Sequence, residues 1–248
     1  MTLAGVQLML LVAAVPLVAA ARRRLMLIPV WVIGAIALAL TGVRGAWVGA
    51  FAGVVGAAFV SKRRAAAILA VAIVLIAGIP AARNIHVRLV TPGYSVLDDT
   101  TRDRLAMLAG GLRMIAERPL MGVGPGQVKH TYAAYAPPEA LRRSTSHLHN
   151  TPLQIAVERG LVGLALWIAL FVAFFVRARM IYQRTSAGDD RALVGGVMTA
   201  VAAFLIAGLF EYNFGDTEVL LLACALMALP FALERQEPEP TAGTAMVP

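Results

Sequence analysis

The residues best suited to chemistry are His147-Leu148-His149-Asn150, where a polar stretch runs into an apolar one that begins Thr151-Pro152-Leu153-Gln154. A polar group is costly to hold near hydrocarbon, so titratable side chains at such a boundary are functional candidates by default. Imidazole titrates near neutral pH and can act as a general base. His149 lies nearer the apolar stretch. Asn150 can cap the helix that follows and Pro152 suits its first turn, so His149 would sit at a rigid helix mouth. An interfacial histidine can also be purely structural, and residue type alone leaves both readings open. His147-x-His149 could also ligate a metal, but neither a carboxylate cluster nor a third well-spaced histidine accompanies the pair, so no metal is expected. His147 is a supporting residue.

Three arginines are candidate anion ligands. Arg44, in Thr41-Gly42-Val43-Arg44-Gly45-Ala46-Trp47, either snorkels to headgroups or aims a fixed cation at a substrate anion. Trp47 reads as an interfacial anchor. Arg102 and Arg104 begin an amphipathic helix, whose N-terminal N–H groups favour phosphate; alternatively they pair with Asp98, Asp99 or Asp103. Glu158 and Arg159 pair locally or face a polar cavity. Gly160 and Gly163 suggest close helix packing, and Glu211 and Asp216 are expected to be solvated. Phosphate-cradling loops, serine elbows and paired-carboxylate motifs are absent from the sequence.

These candidates must be positioned by membrane helices. Of the 248 residues 59% are hydrophobic and 15% charged, and the mean hydropathy is +0.76, which excludes an ordinary soluble domain. The fold class is all-α and polytopic. Apolar segments at about 3–20, 25–40, 45–60, 65–80, 152–176, 192–210 and 217–234 give about seven spans. Basic groups at Arg22–Arg24, Lys62–Arg64 and residues 177–191 fall on alternate connections, which places these connections in the cytoplasm. A membrane domain over 1–236 is followed by a disordered cytoplasmic tail, 237–248. One large external loop, about 81–150, holds all four histidines, His86, His130, His147 and His149. In it Leu105, Leu108, Leu112 and Ile115 mark an amphipathic helix lying on the membrane plane, capped at Thr100 or Thr101 and ended by Pro119. The Gly122–Gly126 run then forces a turn. Cys224, the single cysteine, reads as a small buried or lipid-facing residue. The net charge of +8 suits phosphates and membrane lipids, and no nucleic-acid partner is expected.

His149-Asn150, nine residues, Gly160, two residues and Gly163 resemble the signature of the O-antigen ligase and polymerase superfamily, bacterial membrane glycosyltransferases. "MIAERPLMGVGPGQ" and "TGVRGAWVG" agree with two further stretches of that family. The resemblance implies an enzyme of the inner membrane with its active face periplasmic. It would transfer a glycan from undecaprenyl pyrophosphate to a lipid A core sugar (ligase) or to another lipid-linked repeat (polymerase), without cofactor or metal and with inversion. It further implies that His149 activates the acceptor hydroxyl while Arg44 with Arg102 or Arg104 holds the pyrophosphate. Asn150, Gly160 and Gly163 would support the site. Family members usually carry about twelve spans and begin inside the cell, whereas the charge pattern here starts outside. The seven spans are thus expected to be the last seven. The competing reading is a truncated, non-catalytic membrane protein or a transporter. Chemistry crowded at one face, with few polar residues at mid-membrane, favours a transferase.

Overall fold

The computed structural model describes residues 2–20, 24–61 and 99–235. The described residues are helical, with no strand among them. The helices are α1 (Thr2–Ala20), α2 (Arg24–Leu40), α3 (Arg44–Ser61), α4 (Asp99–Glu117), α5 (Val128–Tyr135), α6 (Thr151–Arg184), α7 (Asp189–Ala207) and α8 (Thr217–Glu234). A short 3₁₀ turn, Asn213–Gly215, links α7 to α8. Six of the seven expected apolar segments fall in α1–α3 and α6–α8; the one at about 65–80, the first part of the external loop with His86, and the tail lie outside the described residues. Among the described residues α6, α7 and α8 are long and apolar enough to cross a membrane, while the apolar stretches Thr2–Val18, Ile28–Leu40 and Arg44–Val60 are shorter. Of the six expected segments within the described residues, three are therefore of crossing length and three are shorter. Cys224 is exposed on α8.

Small residues set the packing of the bundle. In lipid, helix association relies on close contact, which glycine and alanine permit. A Cβ at Gly196 of α7 would lie 2.2 Å from the Ala13 carbonyl oxygen of α1, and one at Gly49 of α3 would lie 2.6 Å from that of Ala203. Around these contacts Leu8, Met9 and Val12 of α1 pack with Val197, Val201 and Phe204 of α7.

A second core lies beneath α4. Met107 and Met114 pack there with Val128, Tyr132, Leu148, Leu153 and Val157. α4 is the expected amphipathic helix and ends before Pro119, with its leucine stripe turned away from the protein core. Leu105, Leu108 and Leu112 are exposed, while the inward face is Ala106, Met107, Gly110, Gly111 and Met114. The inward face is shaped for fit: a Cβ at Gly110 would lie 2.9 Å from the Tyr132 ring.

α6 is broken at Gly160, whose φ of 68° and ψ of −178° are open essentially to glycine alone. Residues 119–126 fill the break. Val123 and Gly124 N–H donate to the Val157 and Glu158 carbonyls at 2.8 and 3.0 Å, and Leu161 N–H donates to the Pro119 carbonyl at 2.7 Å. Backbone groups freed by the break are thereby satisfied, as burial requires. Gly163 does not serve helix–helix packing as expected. Its Cβ would lie 2.5 Å from that of Arg159 in the same helix, so both glycines belong to the break.

Candidate active site

The chain from Leu148 to Thr151 is stitched to the α7–α8 connection. Thr151 N–H donates to the Gly208 carbonyl at 2.7 Å, Asn150 Nδ2 to the Leu209 carbonyl at 2.9 Å, and Thr151 Oγ1 to the Glu211 carbonyl at 2.9 Å. Asn150 Oδ1 accepts from Leu153 N–H at 2.8 Å, so it caps α6 as its residue type suggests. From behind, Gln154 Oε1 accepts from Leu148 N–H at 2.8 Å.

This stitching places His149 against Glu211. His149 has φ of 50°, a left-handed backbone that costs a non-glycine residue about 1 kcal/mol or more. Its Nδ1 lies 3.0 Å from Glu211 Oε2. The other oxygen, Oε1, takes Arg104 Nη2 at 2.6 Å. Burial alone would raise the Glu211 carboxyl, but the His149 hydrogen bond and the Arg104 charge outweigh it and hold the group below its ordinary value. Glu211 is therefore an anion and can only accept. The His149 proton then belongs on Nδ1, which leaves Nε2 with a free lone pair, the arrangement a general base needs.

His147 packs its ring edge-on to that of His149, with centroids 4.3 Å apart. Burial, and then the neighbouring His149, push the His147 imidazole below its ordinary value, against the pull of Glu211 and Asp216. Tyr212 stands 6.0 Å from His147, its phenol pushed up by burial and by the Glu158 charge, with Arg159 opposing.

Arg104 joins His149 and pairs with Glu211, and Asp98, one of its expected partners, lies outside the described residues. Asp103 is buried and binds Arg142, Nε to Oδ2 at 3.0 Å. Arg102 is exposed, two residues from Arg104, and residues so spaced do not share a helix face. Arg44 opens α3 beside the site, since a Cβ on the adjacent Gly45 would lie 3.4 Å from Glu211 Cγ. Glu158 is buried and accepts from Gly126 N–H, Gln154 Nε2 and Arg159 Nη1, so its role is to tie the 119–126 segment to α6. Among the described residues no group of three His, Cys, Asp or Glu side chains gathers as metal ligands would.

Glu211 is the residue that sequence reasoning placed wrongly. It is 6% exposed and bridges two site residues, where solvation was expected. The available signal was a carboxylate in a short turn between two apolar helices, where an unpaired charge is costly.

A family model described as O-antigen ligase matches residues 28–168, more than half of the chain. The matched span contains Arg44, Arg102, Arg104, His147, His149, Asn150, Gly160 and Gly163, while Glu211 lies beyond it. No curated protein matches the chain. The chain belongs to the O-antigen ligase family and, with it, to the ligase- and polymerase-like glycosyltransferases of bacterial membranes.

Proposed function

We propose that the chain transfers a glycan from undecaprenyl pyrophosphate to a lipid A core sugar at the periplasmic face of the inner membrane. The observation that carries this reading is the His149–Glu211–Arg104 chain of contacts, which fixes one tautomer of a histidine at a helix mouth. His149 Nε2 accepts the proton of the acceptor hydroxyl as the oxygen attacks the anomeric carbon. The glycosyl–phosphate bond breaks on the opposite face, so the product is inverted. Charge grows on the departing pyrophosphate, and positioned cations stabilise it as it forms. Arg44 and the guanidinium nitrogens of Arg104 that do not bind Glu211 supply that charge. Glu211 acts through His149 and is a positioning residue. The same chemistry serves a polymerase when the acceptor is a second lipid-linked repeat.

The test is His149→Ala in proteoliposomes charged with a lipid-pyrophosphate-linked glycan and a core-sugar acceptor. Transfer should vanish while the variant inserts and melts like the wild type. Transfer at the wild-type rate would remove His149 from the reaction and overturn the reading.

A further inference from the structure

The outward face of α4 is apolar where a helix turned to water would be polar. At about 100° per residue, Leu105, Leu108 and Leu112 fall in one stripe, and all three are exposed. Ala116, also exposed, carries the row toward Leu120. Beyond the helix end Leu120 and Met121 are 65% and 79% exposed. Their backbone packs on Gly160, where a Cβ would meet the Leu120 carbonyl and the Met121 nitrogen. At that point α6 enters its apolar half, and Leu161, Val162 and Leu166 are exposed just past it. The apolar surface thus runs on into the one that a spanning helix gives to lipid. An apolar area of this kind marks a place of interaction.

Charge around the stripe is layered. Turning about α4 away from the leucines on one side, Ala109 and Ala116 come first, then Arg102 and Arg113, and farthest Asp99 and Glu117. Both arginines are exposed, while Glu117 receives the Tyr135 hydroxyl. A row of cations therefore stands between the apolar surface and the acids. That is the order in which an interfacial helix meets acyl chains, headgroup phosphates and water. On the other flank Arg104 turns to Glu211. We infer that this surface docks on the bilayer itself: the leucines and Met121 enter the acyl region of an anionic phospholipid leaflet, and Arg102 and Arg113 bind its headgroup phosphates. Arg102 is then a lipid ligand and not a substrate ligand. Immersion of the stripe also fixes Arg104 at headgroup height, where a lipid-linked pyrophosphate lies on the transferase reading above. The docking itself does not depend on that reading.

Nitroxide labels on the full chain, in vesicles of phosphatidylethanolamine and phosphatidylglycerol, test the inference by EPR. Cys224→Ser removes the exposed native thiol, and Leu108→Cys, Leu112→Cys and Met121→Cys each carry one label at an exposed position. Oxygen should relax these labels and a water-soluble nickel chelate should not, placing them about 5–10 Å into the headgroup–acyl boundary. A label at Lys129→Cys, exposed on α5, should show the reverse. In Arg102→Gln/Arg113→Gln the labels should rise to the depth that the unsubstituted arginines give in phosphatidylcholine vesicles. Access of the nickel chelate to all three positions would mean that they face water, and exclusion of both reagents would mean that protein covers them. Either result overturns the docking. Equal depth in the two lipids overturns the match of the arginines to anionic headgroups. Should the labels be immersed while His149→Ala still transfers glycan, the docking stands and only the catalytic reading falls.

Discussion

Glu211→Gln isolates the positioning of His149, because the amide keeps the size and shape of the carboxylate. Two donors face Glu211, Arg104 Nη2 at Oε1 and His149 Nδ1–H at Oε2. A glutamine offers one acceptor and one donor, so one of the two is mispaired. Arginine cannot accept, and the amide oxygen must therefore turn to Arg104. The amide NH₂ then faces His149, and the ring answers by moving its proton to Nε2. The nitrogen that should take the acceptor's proton no longer can. Losing general-base catalysis costs about 10²–10⁴ in rate, or ~3–5.5 kcal/mol in the barrier, and a wrong tautomer in a comparable triad costs about 10⁴. The expected result is a fall of at least about 10²-fold in kcat, with the acceptor KM within a few-fold of wild type. The assay is glycan transfer in proteoliposomes. Imidazole ¹⁵N shifts report the tautomer directly, which a merely structural role for Glu211 would not move. In Arg104→Met/Glu211→Gln the amide is free to turn, and the Nδ1–H form should return in the ¹⁵N spectrum whatever the rate. A single variant that keeps kcat within about threefold of wild type, or keeps the Nδ1–H tautomer, refutes the reasoning.

Arg44→Lys replaces a planar fork with a point charge, and transfer should fall roughly tenfold to a hundredfold if Arg44 holds the leaving pyrophosphate; full activity would leave it no such role. Gly160→Ala places a Cβ 1.9 Å from the Leu120 carbonyl oxygen in a backbone region closed to alanine, and should cost at least about 3 kcal/mol, measured as lost yield and a lower melting temperature in detergent. Stability should also depend on pH with a fixed sign. His147 and Glu211 are both held below their ordinary values of 6.5 and 4.5. As pH falls the unfolded chain protonates first, so stability is full above pH 6.5, declines below it through His147, and declines further below 4.5 through Glu211. Melting temperatures between pH 8 and pH 4 check this, and His147→Asn should flatten the upper part of the decline.

The sequence made legible those features that depend on neighbouring residues. Asn150 caps α6 because side-chain capping is a local event, and the apolar runs became helices because lipid leaves the backbone little alternative. Glu211 was illegible because its partner His149 lies 62 residues away, and only the fold brings them together. The leucines of α4 show a second limit. Periodicity defines a stripe but not the side on which it is buried. In a soluble protein Leu105, Leu108 and Leu112 would turn inward. Here close packing on Tyr132 and Leu153 favours Gly110 and Gly111, and the leucines face outward. Gly160 was visible as a spacing, but a glycine in an apolar helix reads equally as a packing site and as a break. The distinction lies in the 119–126 segment, which is remote in sequence.

That break also ties the architecture to the chemistry. A left-handed His149 persists only if its surroundings over-determine it, and the surroundings form a closed circuit. Gln154 receives Leu148 N–H, next to His149, and donates to Glu158. Glu158 receives Gly126 N–H, and its carbonyl receives that of Gly124. The 119–126 segment follows directly from α4, and α4 carries Arg104 back to Glu211, which holds His149. Every link is a hydrogen bond, an ion pair or a stretch of continuous helix or chain, so His149 is held both from α6 and, through Arg104 and Glu211, from α4. Gly160 meets the Leu120 backbone and Gly163 the Arg159 side chain, away from Arg104 and the imidazole, yet the circuit cannot close without the kink they permit. The Asn150-to-Gly163 spacing is therefore a geometric requirement of the histidine's placement: the glycines shape the frame that holds its ring against Glu211.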